Sequence, residues 1–149
     1  MQLYIQTPLY NHNKYIPHLL EHCVLFSSNR EELFMYFGDV EAGTTYGCTD
    51  FEFYAPLSLS HLLQKICQPI LKETFLIQKK HLAYELKNAT FSQKLREKFM
   101  QTIAQNPQIC ANQVQKGNTL EILNAYQKQR YQEQYMIFVG EDENVDLHF

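Results

Sequence analysis

The chain has no tryptophan among its 149 residues, only five glycines and five prolines, and only four cysteines. So few glycines and prolines exclude a collagen-like or low-complexity chain. The cysteines (Cys23, Cys48, Cys67, Cys110) form no C-x-x-C pair. That spacing argues against a disulfide scaffold or a cysteine-rich zinc module, and points to free thiols in a reducing compartment. Charge is also sparse: 19% of residues are charged and the net charge is −3. No basic patch marks a nucleic-acid surface. There is no apolar run of 18 or more residues, so no membrane span is expected. Met1-Gln2-Leu3-Tyr4 lacks a basic segment leading into an apolar one, so no signal peptide is expected and the cytoplasm is the expected location.

What is abundant is apolar and aromatic material. The chain is 45% hydrophobic, with 10 Tyr and 10 Phe. That is enough for one domain with a sizeable core. Leu3 to Thr7 alternates as a short strand. Pro17 suits a first helical position, and a helix is expected from there to about Phe26. Ser27-Ser28-Asn29 breaks it and can cap a helix over Arg30 to Tyr36. Gly43 to Ala55 reads as strand, turn and strand, with the turn at Gly47-Cys48-Thr49-Asp50. Ser58 or Ser60 can cap a helix reaching Cys67, limited by Pro69. Phe75 to Gln105 reads as one long helix or two in succession, with Leu82, Leu86, Leu95, Phe99 and Ile103 at helical spacing. Thr119 can cap a helix to about Tyr131. Tyr135 to Val139 reads as a strand of the buried type.

The chemistry sits in His18-Leu19-Leu20-Glu21-His22, an H-x-x-E-H pattern. At about 100° per residue, His18 and His22 lie about 40° apart on a helix, with Glu21 inside the same arc of about 100°. One face can thus offer two imidazoles to Zn²⁺ and hold a carboxylate beside the bound water as general base. Chance alone yields the pattern in roughly 2 of 100 chains of this composition, so the rest of the chain must decide its meaning. The bland alternative is an amphipathic helix whose histidines are merely solvated.

A catalytic zinc needs a third protein ligand. Glu85 is the best candidate. It lies between Leu82 and Ala89, where a carboxylate would lose hydration unless a cation paired with it. His81 is a rival and Glu73 a weaker one. His12, His61 and His148 have no partner at ligand spacing and read as loop or surface residues.

With these residues in place, the chain resembles the pitrilysin-type zinc metallopeptidases, the family of insulin-degrading enzyme and mitochondrial processing peptidase. His18 to Phe26 resembles the family's H-x-L-E-H and following apolar pair. Glu41 to Tyr54 resembles its glycine-led strand and aromatic strand. Lys80 to Leu86 resembles its second-helix motif, whose final acid is the third zinc ligand. Asn124 to Tyr131, followed by Tyr135 to Gly140, resembles its helix-then-strand segment. There are departures. Gln78 stands where the family has a second acid, and Thr44-Thr45 where it has an Asn-Ala pair on the strand that holds substrate. The interval from His22 to Glu85 is short, and no glycine precedes His18.

The resemblance implies an α+β fold, a mixed or antiparallel sheet packed against helices. It implies a single pitrilysin-like domain over 1–149, incomplete relative to the family. It also implies a zinc endopeptidase acting on small or unfolded peptides, with one Zn²⁺ on His18, His22 and Glu85 and Glu21 as base. Peptide would bind along Thr44, Thr45 and Tyr46 by strand addition. The family builds its chamber from two homologous domains, so a dimer with a related chain is expected to supply the missing wall. Two other readings stand beside this one. A non-catalytic scaffold or partner subunit should purify without zinc. A structural zinc domain fits less well, because such sites prefer four closed ligands rich in cysteine.

Overall fold

A computed structural model describes residues 2–7, 15–26, 40–45, 47–54, 59–95 and 119–140. The order is strand β1 (Gln2–Thr7), helix α1 (Tyr15–Leu25), strands β2 (Val40–Thr45) and β3 (Gly47–Phe53), helices α2 (Leu59–Ile66), α3 (Lys72–Asn88) and α4 (Leu120–Arg130), and strand β4 (Met136–Val139). The fold is α+β. The four described strands lie in the order β2-β3-β1-β4, and every pairing among them is antiparallel.

Strand alternation decides which face is covered. Leu3, Ile5 and Thr7 of β1 and Thr49, Phe51 and Phe53 of β3 are all buried. Side chains in a strand alternate between faces, so these point to one side. They meet Leu19, Leu20, Cys23 and Val24 of α1, Leu62 and Ile66 of α2, Phe75 and Leu82 of α3, and Leu123 and Tyr126 of α4 in one core. Cys23 is part of that packing, as its position beyond the histidine face implies.

Several local expectations change. Residues 47–50 are not the turn, because β3 already begins at Gly47. Thr45 pairs with Cys48, and Gly47 has φ +98°. A tight hairpin demands positive φ, which glycine accepts without a Cβ clash. Residues 48–50 then extend β3 and bury Thr49. Helix α1 begins two residues before Pro17, which therefore sits in its first turn. That position is tolerated because first-turn N–H groups have no intrahelical partner. Ser60 lies inside α2 rather than capping it, while Ser58 lies outside the described residues.

In its described part, residues 75–95, the long apolar segment takes the second of its two expected forms, two helical stretches in succession. Helix α3 ends at Asn88, and the helical stretch 91–95 restarts after Thr90, whose Oγ1 accepts from Gln93 N while Gln93 Oε1 accepts from Thr90 N. This reciprocal cap makes Leu95 part of a new, exposed helix instead of the core. Strand β4 is a half-covered edge, not a buried strand. It starts at Met136, and Ile137 and Val139 are exposed on its outer face. The expected cap at Thr119 is present: its Oγ1 accepts from Ile122 N at 3.3 Å. The expected helix over 30–36 lies outside the described residues, as do Phe99, Ile103, Cys110, His12 and His148.

Amides on α4 fix where α3 starts. Ile70 N donates to Asn124 Oδ1 at 2.8 Å, and Gln127 Nε2 donates to the Ile66 and Gln68 carbonyls at 2.8 and 3.0 Å. The last turn of α2 has carbonyls with no helical partner, and Pro69 prevents the helix from continuing to satisfy them. Buried Gln127 supplies the missing donors. The chain then enters α3 in a fixed register, which carries Glu85 to the face of α1.

Candidate metal centre

Helix α1 is covered on almost every side. Tyr15, Ile16, Pro17, Leu19, Leu20, Glu21, Cys23 and Val24 are buried, while His18 and His22 are half-buried. The two histidines share the strip that faces α3. Their Nε2 atoms are 3.1 Å apart, with the rings meeting edge to face. From α3, Glu85 brings Oε2 to 3.2 Å from His22 Nε2 and Oε1 to 3.7 Å from His18 Nε2. Ligand atoms about 2.1 Å from a tetrahedral zinc stand roughly 3.4 Å apart. The three spacings straddle that value. The donors themselves, two imidazoles and one carboxylate, are a set that leaves zinc an open position.

Among the described residues this trio is the one group of three or more His, Cys, Asp or Glu side chains placed to hold a metal ion. His81 and Glu73, the rival ligands, are exposed and stand outside it. Glu85 does not lose its hydration as its place between Leu82 and Ala89 suggests: its side chain is 52% exposed, so burial does not force a cation upon it. Its place follows instead from the α1–α3 packing.

Glu21 is the deeply buried acid, at 5% exposure. Its Oε2 lies 3.8 Å from His18 Nε2 and accepts a hydrogen bond from Thr44 Oγ1 at 3.0 Å. Burial pushes its carboxyl up from 4.5 to about 7, against the lowering effect of the Thr44 bond. The charges of Glu85 and Asp50 add to the rise. Burial likewise lowers the proton affinity of His22, opposed by the charge of Glu85. His22 is therefore neutral at neutral pH, the form a metal requires.

Thr44 lies on the strand whose backbone is expected to hold peptide. Its side chain turns inward to Glu21, and its hydroxyl lies 3.4 Å from Thr49 Oγ1, which is 2.8 Å from Thr7 Oγ1. Thr7 and Thr49 are fully buried. Three strands thus contribute one hydroxyl each to a chain that ends on the Glu21 carboxylate. The available signal was parity: Thr7, Thr44 and Thr49 all fall on the inward positions of their strands. Thr45 is exposed, with its hydroxyl on the Cys48 carbonyl at 3.3 Å. Tyr46 lies outside the described residues. Strand β2 ends the sheet, and among the described residues its outer edge pairs with no strand.

In comparisons with known proteins, no family model, no curated protein and no solved structure matches this chain. The site therefore rests on its own chemistry. No helix of the structure is long and apolar enough to cross a membrane among the described residues.

Proposed function

We propose that the protein is a zinc metallopeptidase of the pitrilysin type, acting on small or unfolded peptides. The observation that carries the reading is the convergence of His18, His22 and Glu85 from two helices beside a buried, separately held Glu21. A solvated histidine face would need neither the carboxylate from α3 nor the desolvated one from α1. A zinc ion on these three residues would supply Lewis acidity and acidify a coordinated water.

The chain's own residues do the rest. Glu21 takes the proton of the attacking water on its carboxylate at Oε2 and returns it to the leaving amine. A proton affinity near neutral pH suits both halves of that task. Thr44 holds Oε2 while the proton moves. An extended peptide adds along the outer edge of β2, which pairs with no strand among the described residues, through backbone hydrogen bonds, one strand away from Thr49 and next to the Glu21 side chain.

Zinc content and activity together test the reading. Purified protein should hold about one zinc per chain and cleave unfolded peptides in a chelator-sensitive way. His18→Ala, His22→Ala and Glu85→Gln should each strip the metal, while His81→Ala should not. Glu21→Gln should keep zinc and lose activity by about 10²–10⁴-fold. Full zinc occupancy in both histidine variants would remove the site. A wild-type chain that purifies metal-free and inert would favour the scaffold reading.

A further inference from the structure

Thr7 and Thr49 are polar side chains with no exposed surface, set among Leu3, Ile5, Phe51 and Phe53 on the covered face of the sheet. A buried hydroxyl proton without an acceptor is costly, so each proton there needs a place. Strand register explains why the hydroxyls meet. Thr44 and Thr49 face each other across β2 and β3, the position at which paired threonines reach one another. Thr49 also faces Ile5 of β1, so Thr7, two residues along, is its diagonal neighbour. The Thr7 and Thr49 oxygens are 2.8 Å apart, and those of Thr49 and Thr44 are 3.4 Å apart. Thr44 gives its proton to Glu21 Oε2 at 3.0 Å.

Counting protons fixes the direction of the chain. Each threonine hydroxyl has one proton to give. The Thr44 proton is on Glu21, so Thr44 can only accept from Thr49. The hydroxyl partner of Thr7 among the described residues is Thr49. If Thr49 donated to Thr7, the Thr7 proton would be stranded in the core. Thr7 to Thr49 to Thr44 to Glu21 is therefore the order that gives every proton among these four groups an acceptor. All three O–H dipoles then point toward the carboxylate, and each strengthens the next. The strands also differ in how firmly they are held. β1 and β3 are paired on both sides, whereas β2 pairs, among the described residues, with β3 alone. The hydroxyl on the least constrained strand is tied back to two on the most constrained.

We propose that Thr49 and Thr7 are positioning residues for Glu21: their aligned hydroxyls hold the Thr44 O–H on Oε2 and so fix the carboxylate beside the metal site. Their purpose rests on the peptidase reading, whereas the order of their protons does not. Both act through Thr44, so their effect belongs to the reacting step and not to the grip on peptide or metal. It should also fade along the chain, from Thr49 to Thr7. The two residues differ in a second way. Removing the Thr7 hydroxyl strands no proton, while removing the Thr49 hydroxyl strands that of Thr7.

Two measurements on the whole chain test this. In urea unfolding of the metal-free protein, Thr49→Val should lower the midpoint, because the Thr7 proton loses its acceptor. Adding Thr7→Val removes that proton, so the double variant should unfold at a higher urea concentration than Thr49→Val alone. A double variant less stable still, by the full effect of Thr7→Val alone, overturns the proton order and the proposal with it. In peptide cleavage, Thr49→Val should lower kcat about five- to tenfold, the size of one hydrogen bond, with KM and zinc affinity within about twofold. Thr7→Val should lower kcat less, and Thr49→Ser should restore it. An unchanged kcat in Thr49→Val, or a loss that Thr49→Ser shares, overturns the positioning role. If Thr49→Val alone does not fold, a double variant that folds with lowered kcat supports the proposal, and one that also fails to fold overturns it. A wild-type chain inert on unfolded peptides that still shows the recovery in urea keeps the hydroxyl order and sinks the peptidase reading instead.

Discussion

Glu21 is an expensive residue to keep where it is. A carboxyl whose folded value is about 7 rather than 4.5 represents about 3 kcal/mol of free energy at high pH. The sign follows from proton counts. Between pH 4.5 and 7 the folded metal-free chain holds a proton on Glu21 that the unfolded chain has released. The Glu21 contribution to stability is therefore fully present below 4.5 and lost as pH rises through about 7. His22 works in the opposite direction, because its lowered proton affinity leaves the unfolded chain with more protons just below its ordinary value of 6.5. Comparing wild type with Glu21→Gln separates the two. Metal-free Glu21→Gln should gain on wild type across this window, reaching roughly 3 kcal/mol at pH 8 in urea unfolding. Equal stability at pH 5 and pH 8 for the pair would show that Glu21 is not desolvated. Nothing in a core-packing role explains why such a residue is retained, whereas a proton carrier beside a metal must have this character.

At the level of elements, the site is a product of three contacts: α1 against α3, α1 against β2, and α4 against the α2–α3 connection. The β2 contact makes a prediction. Thr44 hydrogen bonding lowers the proton affinity of Glu21. Thr44→Val removes that bond and keeps the strand shape, so Glu21 should hold its proton to higher pH. The acid limb of the kcat/KM profile should then move upward, since a protonated base is inactive. Thr44→Ser should restore it; a profile unmoved by Thr44→Val would detach Thr44 from the base. Much of this was legible in the chain. The 18/21/22 spacing specifies one helix face, the parity of β1 and β3 specifies the sheet's covered side, and Thr119 marks a helix start. Other parts were hidden for physical reasons. The Thr7–Thr49–Thr44 chain spans 42 positions, and no local pattern reports a contact between strands. The hairpin turn was misplaced because Asp50 and Gly47 both carry turn preferences, and pairing register rather than propensity chose between them. Leu95 fits the apolar period of α3, but the Thr90–Gln93 cap resets the phase. Strand β4 is apolar throughout, so its sequence hides that, among the described residues, it pairs with β1 alone.

For the whole molecule, the candidate site is a wall rather than a chamber. Helix α1, strand β2 and helix α3 enclose Glu21, yet Glu85 is half-exposed and, among the described residues, the outer edge of β2 pairs with no strand. Peptide hydrolysis at a metal works best when bulk water is kept from the reacting bond. An adjoining side of α3, about 100° round from Glu85, carries exposed apolar residues. Tyr84, next to Glu85, is 72% exposed, and Ile77, about 20° away from it around the helix, is also exposed. Apolar surface beside a polar site is the composition of an interface core. We propose that a related chain covers this side and completes the substrate-gripping wall. Sedimentation of the isolated chain and of a co-expressed pair, each assayed on unfolded peptides, should show activity rising with association. Tyr84→Arg should weaken the association and lower activity while leaving zinc affinity within about twofold, because Tyr84 points away from the ligand strip. Full activity from a strictly monomeric chain would end the argument for a second wall, and the open face would then have to bind peptide unaided.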